Sequence, residues 1–109
     1  GELCSDSIHP SWKIPIFSLY GETRKPTAGM LKKVDTVIFD IQDIGARPYT
    51  FVSTLRYVLE AVAKLKKEVI VADRPVPLPG IIDGPITEEK FSSFVAMIPA
   101  PMSYGMTPG

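Results

Sequence analysis

Two aspartates follow directly on short apolar runs rich in β-branched residues: Asp40 after Val37-Ile38-Phe39, and Asp73 after Val69-Ile70-Val71-Ala72. A carboxylate at the mouth of a buried strand can give and take protons or orient the hydroxyls of a sugar. Equally, each can cap the next helix or accept backbone N–H bonds. The first is followed within nine residues by Gln42, Asp43, Gly45, Arg47 and Tyr49, and the second by Arg74. Arg47 has the fork geometry to hold a carboxylate at two points, unless it pairs only with Asp43. Tyr49 can stack on a sugar face or staple the start of the following helix.

The elements that would position these groups follow from periodicity. Thr36 to Ile41 is apolar without alternation and is expected as a strand covered on both faces, as in a parallel sheet. From Thr50 to Lys67, Phe51, Leu55, Val58, Val62 and Leu65 recur at helical spacing, with Ser53, Arg56, Glu60, Lys64 and Lys67 opposite and Glu60 paired with Lys64. Glu68 to Asp73 is the next strand, so the three elements form a βαβ unit that brings Asp40 and Asp73 to the same rim. In open α/β sheets ligands bind outside the carboxyl ends of the strands. Ile14 to Leu19 is expected as a first strand, Ala28 to Lys33 as a short helix capped by Thr27 with Met30 and Leu31 inward, and Phe94 to Ile98 as a last strand. Thr87-Glu88-Glu89 is expected to start a short helix, and residues 74–80 to form a rigid proline-rich loop. The fold class is thus α/β, with a mostly parallel sheet of three or four strands and flanking helices.

Composition narrows the function. The 109 residues hold twelve Lys and Arg against twelve Asp and Glu, so no global field recruits nucleic acid or an anionic membrane. No run is long enough to span a bilayer. The one cysteine, Cys4, reads as an ordinary thiol, and the one histidine, His9, is a surface residue without a metal-ligand partner at useful spacing. No cofactor or metal is expected: the loop holds Gly45 but no G-x-G-x-x-G, so a dinucleotide pyrophosphate lacks its close backbone approach. The aspartate-nucleophile phosphatase pattern also fails, since Gln42 stands where the second acid is needed and an amide cannot shuttle a proton. Residues 1–13 are expected to be an irregular lead, with the α/β domain over 14–109. Both ends read as cut from a larger protein.

The spelling of the chain is more specific than its pattern. Ser18-Leu19-Tyr20-Gly21, Thr23-Arg24-Lys25-Pro26, Phe39-Asp40-Ile41-Gln42-Asp43-Ile44-Gly45 with Arg47 and Tyr49-Thr50, Ser53-Thr54-Leu55, Asp73-Arg74-Pro75, Gly84-Pro85 and Gly105-Met106-Thr107 together resemble the NamZ-type exo-β-N-acetylmuramidases. The resemblance runs from about Ile14 to Gly109. It implies a partial Rossmann-like domain from a bacterial peptidoglycan hexosaminidase that releases terminal β-linked N-acetylmuramic acid. By the same resemblance Asp40 and Asp43 are the catalytic candidates. Gln42, Arg47, Tyr49, Asp73 and Arg74 are the substrate-binding ones, the lactyl carboxylate suiting Arg47 or Arg74. The partners implied are a peptidoglycan-derived sugar and the rest of the parent, which a cell-wall substrate would require to be exported.

Two departures from the family pattern stand out: Val76 replaces an asparagine after Asp-Arg-Pro, and Pro48 replaces an aromatic. The family's Pro-Glu-His-Gly segment, whose glutamate is its best candidate acid, does not occur in this sequence. The expectation is therefore a fragment inactive alone. The alternative is a non-catalytic carbohydrate-binding or assembly module with a degenerate site. Two-carboxylate and acetamide-assisted routes both stay open.

Overall fold

The computed structural model describes residues 5–109 and contains two small sheets and a few helices. Its centre is the expected βαβ unit. Strand β3 (Thr36–Phe39) pairs in parallel with β4 (Glu68–Val71), Val37 opposite Val69 and Phe39 opposite Val71, and helix α2 (Phe51–Lys64) joins them. Parallel neighbours need a crossover of this length, and the amphipathic helix supplies it while covering one face of the pair. Leu55, Val58, Ala61 and Val62 of α2 are buried with Phe39 and with Leu31 of the short helix α1 (Ala28–Leu31); Val37, Val69 and Val71 pack against them. Burying side chains of this kind contributes about 1.5–3 kcal/mol each, so this layer is the main apolar source of stability.

Helix ends follow from local chemistry. Thr27 caps α1 as expected: its Oγ1 accepts the Met30 N–H at 3.3 Å, and Met30 Sδ accepts the Thr27 N–H in return. Helix α2 stops at Lys64, three residues earlier than its pattern implies, because Lys66 turns left-handed at φ 53°. The Lys66 and Lys67 N–H groups then close on the carbonyls of Ala63 and Val62, the two bonds of a Schellman motif.

Several expectations are corrected. The second face of the parallel pair is not covered: the facing residues Ile38 and Ile70 are 66% and 53% exposed. Among the described residues the parallel sheet has two strands rather than three or four. Of Ile14 to Leu19 only β2 (Pro15–Ile16) is extended, and it pairs antiparallel with β1 (Ser7–Ile8), inside the lead expected to be irregular. Phe94–Ala96 is a 3-10 turn, not a strand, because the Phe94 ring stacks on Tyr57 of α2 at 6.0 Å and the chain coils to place it there. Glu89–Phe91 is likewise a single 3-10 turn. Ser53 faces inward, its hydroxyl donating to the Phe94 carbonyl at 2.8 Å. Glu60 pairs with Arg56 and Lys25 rather than with Lys64, and Leu65 is exposed. Cys4 lies outside the described residues.

Candidate functional site

The carboxyl ends of β3 and β4 open into two loops that the C-terminal segment ties together. Gly45 is left-handed, φ 79°, and its carbonyl accepts the N–H groups of Tyr104 and Gly105 at 2.8 and 3.2 Å. The Gly105 carbonyl in turn accepts the Gly80 N–H at 3.0 Å, and Ser103 bridges to both Ala46 and Asp83. A Cβ on Gly105 would sit 2.7 Å from the backbone N and O of Ile81, so the strap passes where only glycine fits. Beside it lies a depression of about 400 Å³ lined by Asp73, Arg74, Pro75, Val76, Pro79, Gly105 and Thr107.

The expected site residues divide into three groups on this rim. Asp40 and Arg74 form an ion pair across the two strand ends, both partly exposed. Gln42 spans the same gap, its Nε2 donating to the Asp43 carbonyl at 2.6 Å and the Pro75 carbonyl at 3.3 Å. Asp73 is exposed and packs beside Gly109. These four therefore share one edge.

Asp43 is different. It is only 2% exposed; its Oδ2 accepts the Tyr104 hydroxyl at 2.5 Å and the Gly45 N–H at 3.3 Å, while Oδ1 is buried without a hydrogen-bond partner among the described residues. Burial, with the Asp43 carboxylate behind it, pushes the Tyr104 hydroxyl well above the usual tyrosine range, so it remains a donor.

Arg47 and Tyr49 lie further along the loop. Arg47 does not pair with Asp43: its Nη1 donates to the carbonyls of Ala100 and Pro85 at 2.7 and 3.0 Å, anchoring the C-terminal segment. Tyr49 is about half exposed, its ring tilted towards Phe51 at 6.2 Å. Val76 is buried, with Cγ2 against Gly45, which gives the residue a packing role. Tyr104 is the member that sequence reasoning passed over. It stands 61 residues after Asp43 in a proline-rich stretch, and no local signal marks it.

Among the described residues no group of three His, Cys, Asp or Glu side chains is placed to hold a metal ion, and no helix is long and apolar enough to cross a membrane. Chemically, the rim offers carboxylates, an amide and a guanidinium to a polar, hydroxyl-bearing ligand.

The chain is 48% identical over its whole length to the peptidoglycan β-N-acetylmuramidase NamZ of Bacillus subtilis (strain 168), of which it covers 27%. Two solved structures of DUF1343 family proteins from Bacteroides fragilis NCTC 9343 superpose on 94% of the chain. They have TM-scores of 0.87 and 0.84 at 46% and 37% identity, and the chain spans 27% and 28% of them. It thus corresponds to about a quarter of the length of these relatives. All of residues 1–109 match the family described as exo-β-N-acetylmuramidase NamZ, N-terminal, and the chain belongs to that family.

Proposed function

We propose that this chain supplies one wall of the sugar-binding cleft of an exo-β-N-acetylmuramidase, a glycoside hydrolase acting on peptidoglycan fragments. The observation that carries the reading is the gathering of Asp40, Gln42, Asp73 and Arg74 on the carboxyl rim of a parallel βαβ unit, in a chain 48% identical to a protein named for that activity. On this reading β3 and β4 belong to a larger Rossmann-like sheet, whose remaining elements the parent protein supplies over Ile38 and Ile70. Arg74 is the group for the lactyl carboxylate, since the residue lines the depression and its guanidinium already holds a carboxylate in Asp40. Asp40, Gln42 and Asp73 bond the sugar hydroxyls, with Asp40 in reach of proton transfer. Arg47 and Tyr49 flank the cleft.

The alternative, a non-catalytic module, draws on Val76 and on the absent Pro-Glu-His-Gly glutamate; burial of Val76 against Gly45 accounts for the first by packing. The test is the full-length parent protein incubated with N-acetylmuramic acid β-linked to N-acetylglucosamine. Release of free N-acetylmuramic acid, reduced by at least tenfold, roughly, in Arg74→Ala, supports the reading. No release, or release that Arg74→Ala leaves unchanged, contradicts it.

A further inference from the structure

We infer that Tyr104 is a positioning residue for this glycosidase site: with Asp43 it forms a buried hydroxyl–carboxylate clasp that holds the turn carrying Asp40 and Gln42 to the rim. The inference rests on the cleft reading above and goes beyond it, because it gives Asp43 an indirect role and adds a residue from the far end of the chain.

Three observations converge. First, Asp43 and Tyr104 are 2% and 4% exposed, so Asp43 is shut off from the surface where Asp40 and Gln42 stand. A carboxylate taken out of water is costly unless hydrogen-bonded, and the Tyr104 hydroxyl at 2.5 Å is its shortest bond. Second, the clasp is doubled by backbone: Tyr104 donates its N–H to the Gly45 carbonyl at 2.8 Å, while Asp43 accepts the Gly45 N–H at 3.3 Å. The Asp43–Gly45 turn is thus gripped from the main chain and the side chain of one residue. Third, the turn has little room to move, since a Cβ on Gly45 would lie 3.3 Å from both Gly105 Cα and Val76 Cγ2. Losing the hydroxyl leaves Asp43 with one backbone donor and an Oδ1 that lacks a partner among the described residues. The side-chain half of the grip is then gone while the backbone half remains, so Asp40 and Gln42 shift only by the fraction of an ångström that still matters to a reacting geometry.

The experiment uses the full-length parent with Tyr104→Phe, Asp43→Asn and the double variant, measuring kcat and KM for N-acetylmuramic acid release together with thermal stability. The expected result is a kcat lowered about tenfold to a hundredfold in each single variant, with KM within about twofold and the double variant no worse than the poorer single. A Tyr104→Phe protein with lowered melting temperature but wild-type kcat overturns the inference, because the tyrosine is then merely structural. So does an Asp43→Asn loss about a thousandfold beyond that of Tyr104→Phe, which would make the carboxylate act directly. Should Tyr104→Phe fail to fold, the kcat and KM of Asp43→Asn decide: a change confined to KM refutes positioning. An inactive wild-type parent refutes the cleft reading itself, and the inference with it, and is distinct from active but uncoupled variants.

Discussion

Replacing Arg47 by alanine tests how the rim is held together. Its Nη1 donates to the carbonyl of Ala100 at 2.7 Å in a part-buried setting and to that of Pro85 at 3.0 Å in an exposed one. A hydrogen bond from a charged donor contributes about 1.5–3 kcal/mol, and a water-exposed one only a fraction of that. The two together are therefore worth about 2–3 kcal/mol. The backbone bond from Arg47 to the Met102 carbonyl and the bridge between Ala46 and Ser103 survive the substitution, so the loss reads the side chain alone. At about 4 °C per kcal/mol for a chain of this size, the melting temperature should fall by roughly 10 °C. Thermal denaturation followed by circular dichroism measures it. Arg47→Lys should recover part of the loss, since an ammonium keeps the charge and the donors that one Nη1 supplies to both carbonyls, but on a shorter stem. A destabilisation below about 0.5 kcal/mol, the range of ordinary surface substitutions, would refute the claim that Arg47 anchors the C-terminal segment.

Two further substitutions probe the support of the rim. Lys66 occupies the left-handed position of a Schellman motif at φ 53°, so Lys66→Gly should stabilise by about 0.5–1 kcal/mol; a loss of stability in denaturant titration would show that the lysine side chain contributes more than its backbone strain costs. The Lys25 ammonium, and after it the Arg56 guanidinium, hold the Glu60 carboxyl below its ordinary value of 4.5. A depressed folded-state pKa contributes stability that is present above about 4.5 and lost as pH falls through the lower folded value. Glu60→Gln should therefore flatten the acid limb of the stability profile slightly, less so at high salt; an unchanged limb would mean the pairs contribute nothing.

What the sequence made legible was the part governed by periodicity. The spacing of Leu55, Val58 and Val62 identifies α2 and its inner face, and the apolar runs on either side identify β3 and β4, so the shared rim of Asp40 and Asp73 follows. Ser53 reads as an outward residue because a small hydroxyl side chain signals its face only through its partner, here the Phe94 carbonyl 41 positions away. The end of α2 is hidden in the sequence because a lysine, Lys66, and not a glycine takes the left-handed turn. The runs at Ile14 and Phe94 have strand-like composition, but one reaches only a two-residue partner and the other is pulled into a 3-10 turn by aromatic stacking. The expectation that both sheet faces are covered fails in this chain, where Ile38 and Ile70 are apolar yet exposed. The Asp43–Tyr104 contact joins positions 61 apart and depends on how the C-terminal strap crosses Gly45.

The most direct test of the central claim is hydrogen-exchange mass spectrometry of the full-length parent with N-acetylmuramic acid, and with N-acetylglucosamine as the control lacking the lactyl carboxylate. Slower exchange in peptides covering residues 40–49 and 72–80, with the muramic sugar and not with the control, is the predicted result. Protection confined to other parts of the parent, with these two loops unchanged, would contradict the assignment of this rim to the sugar.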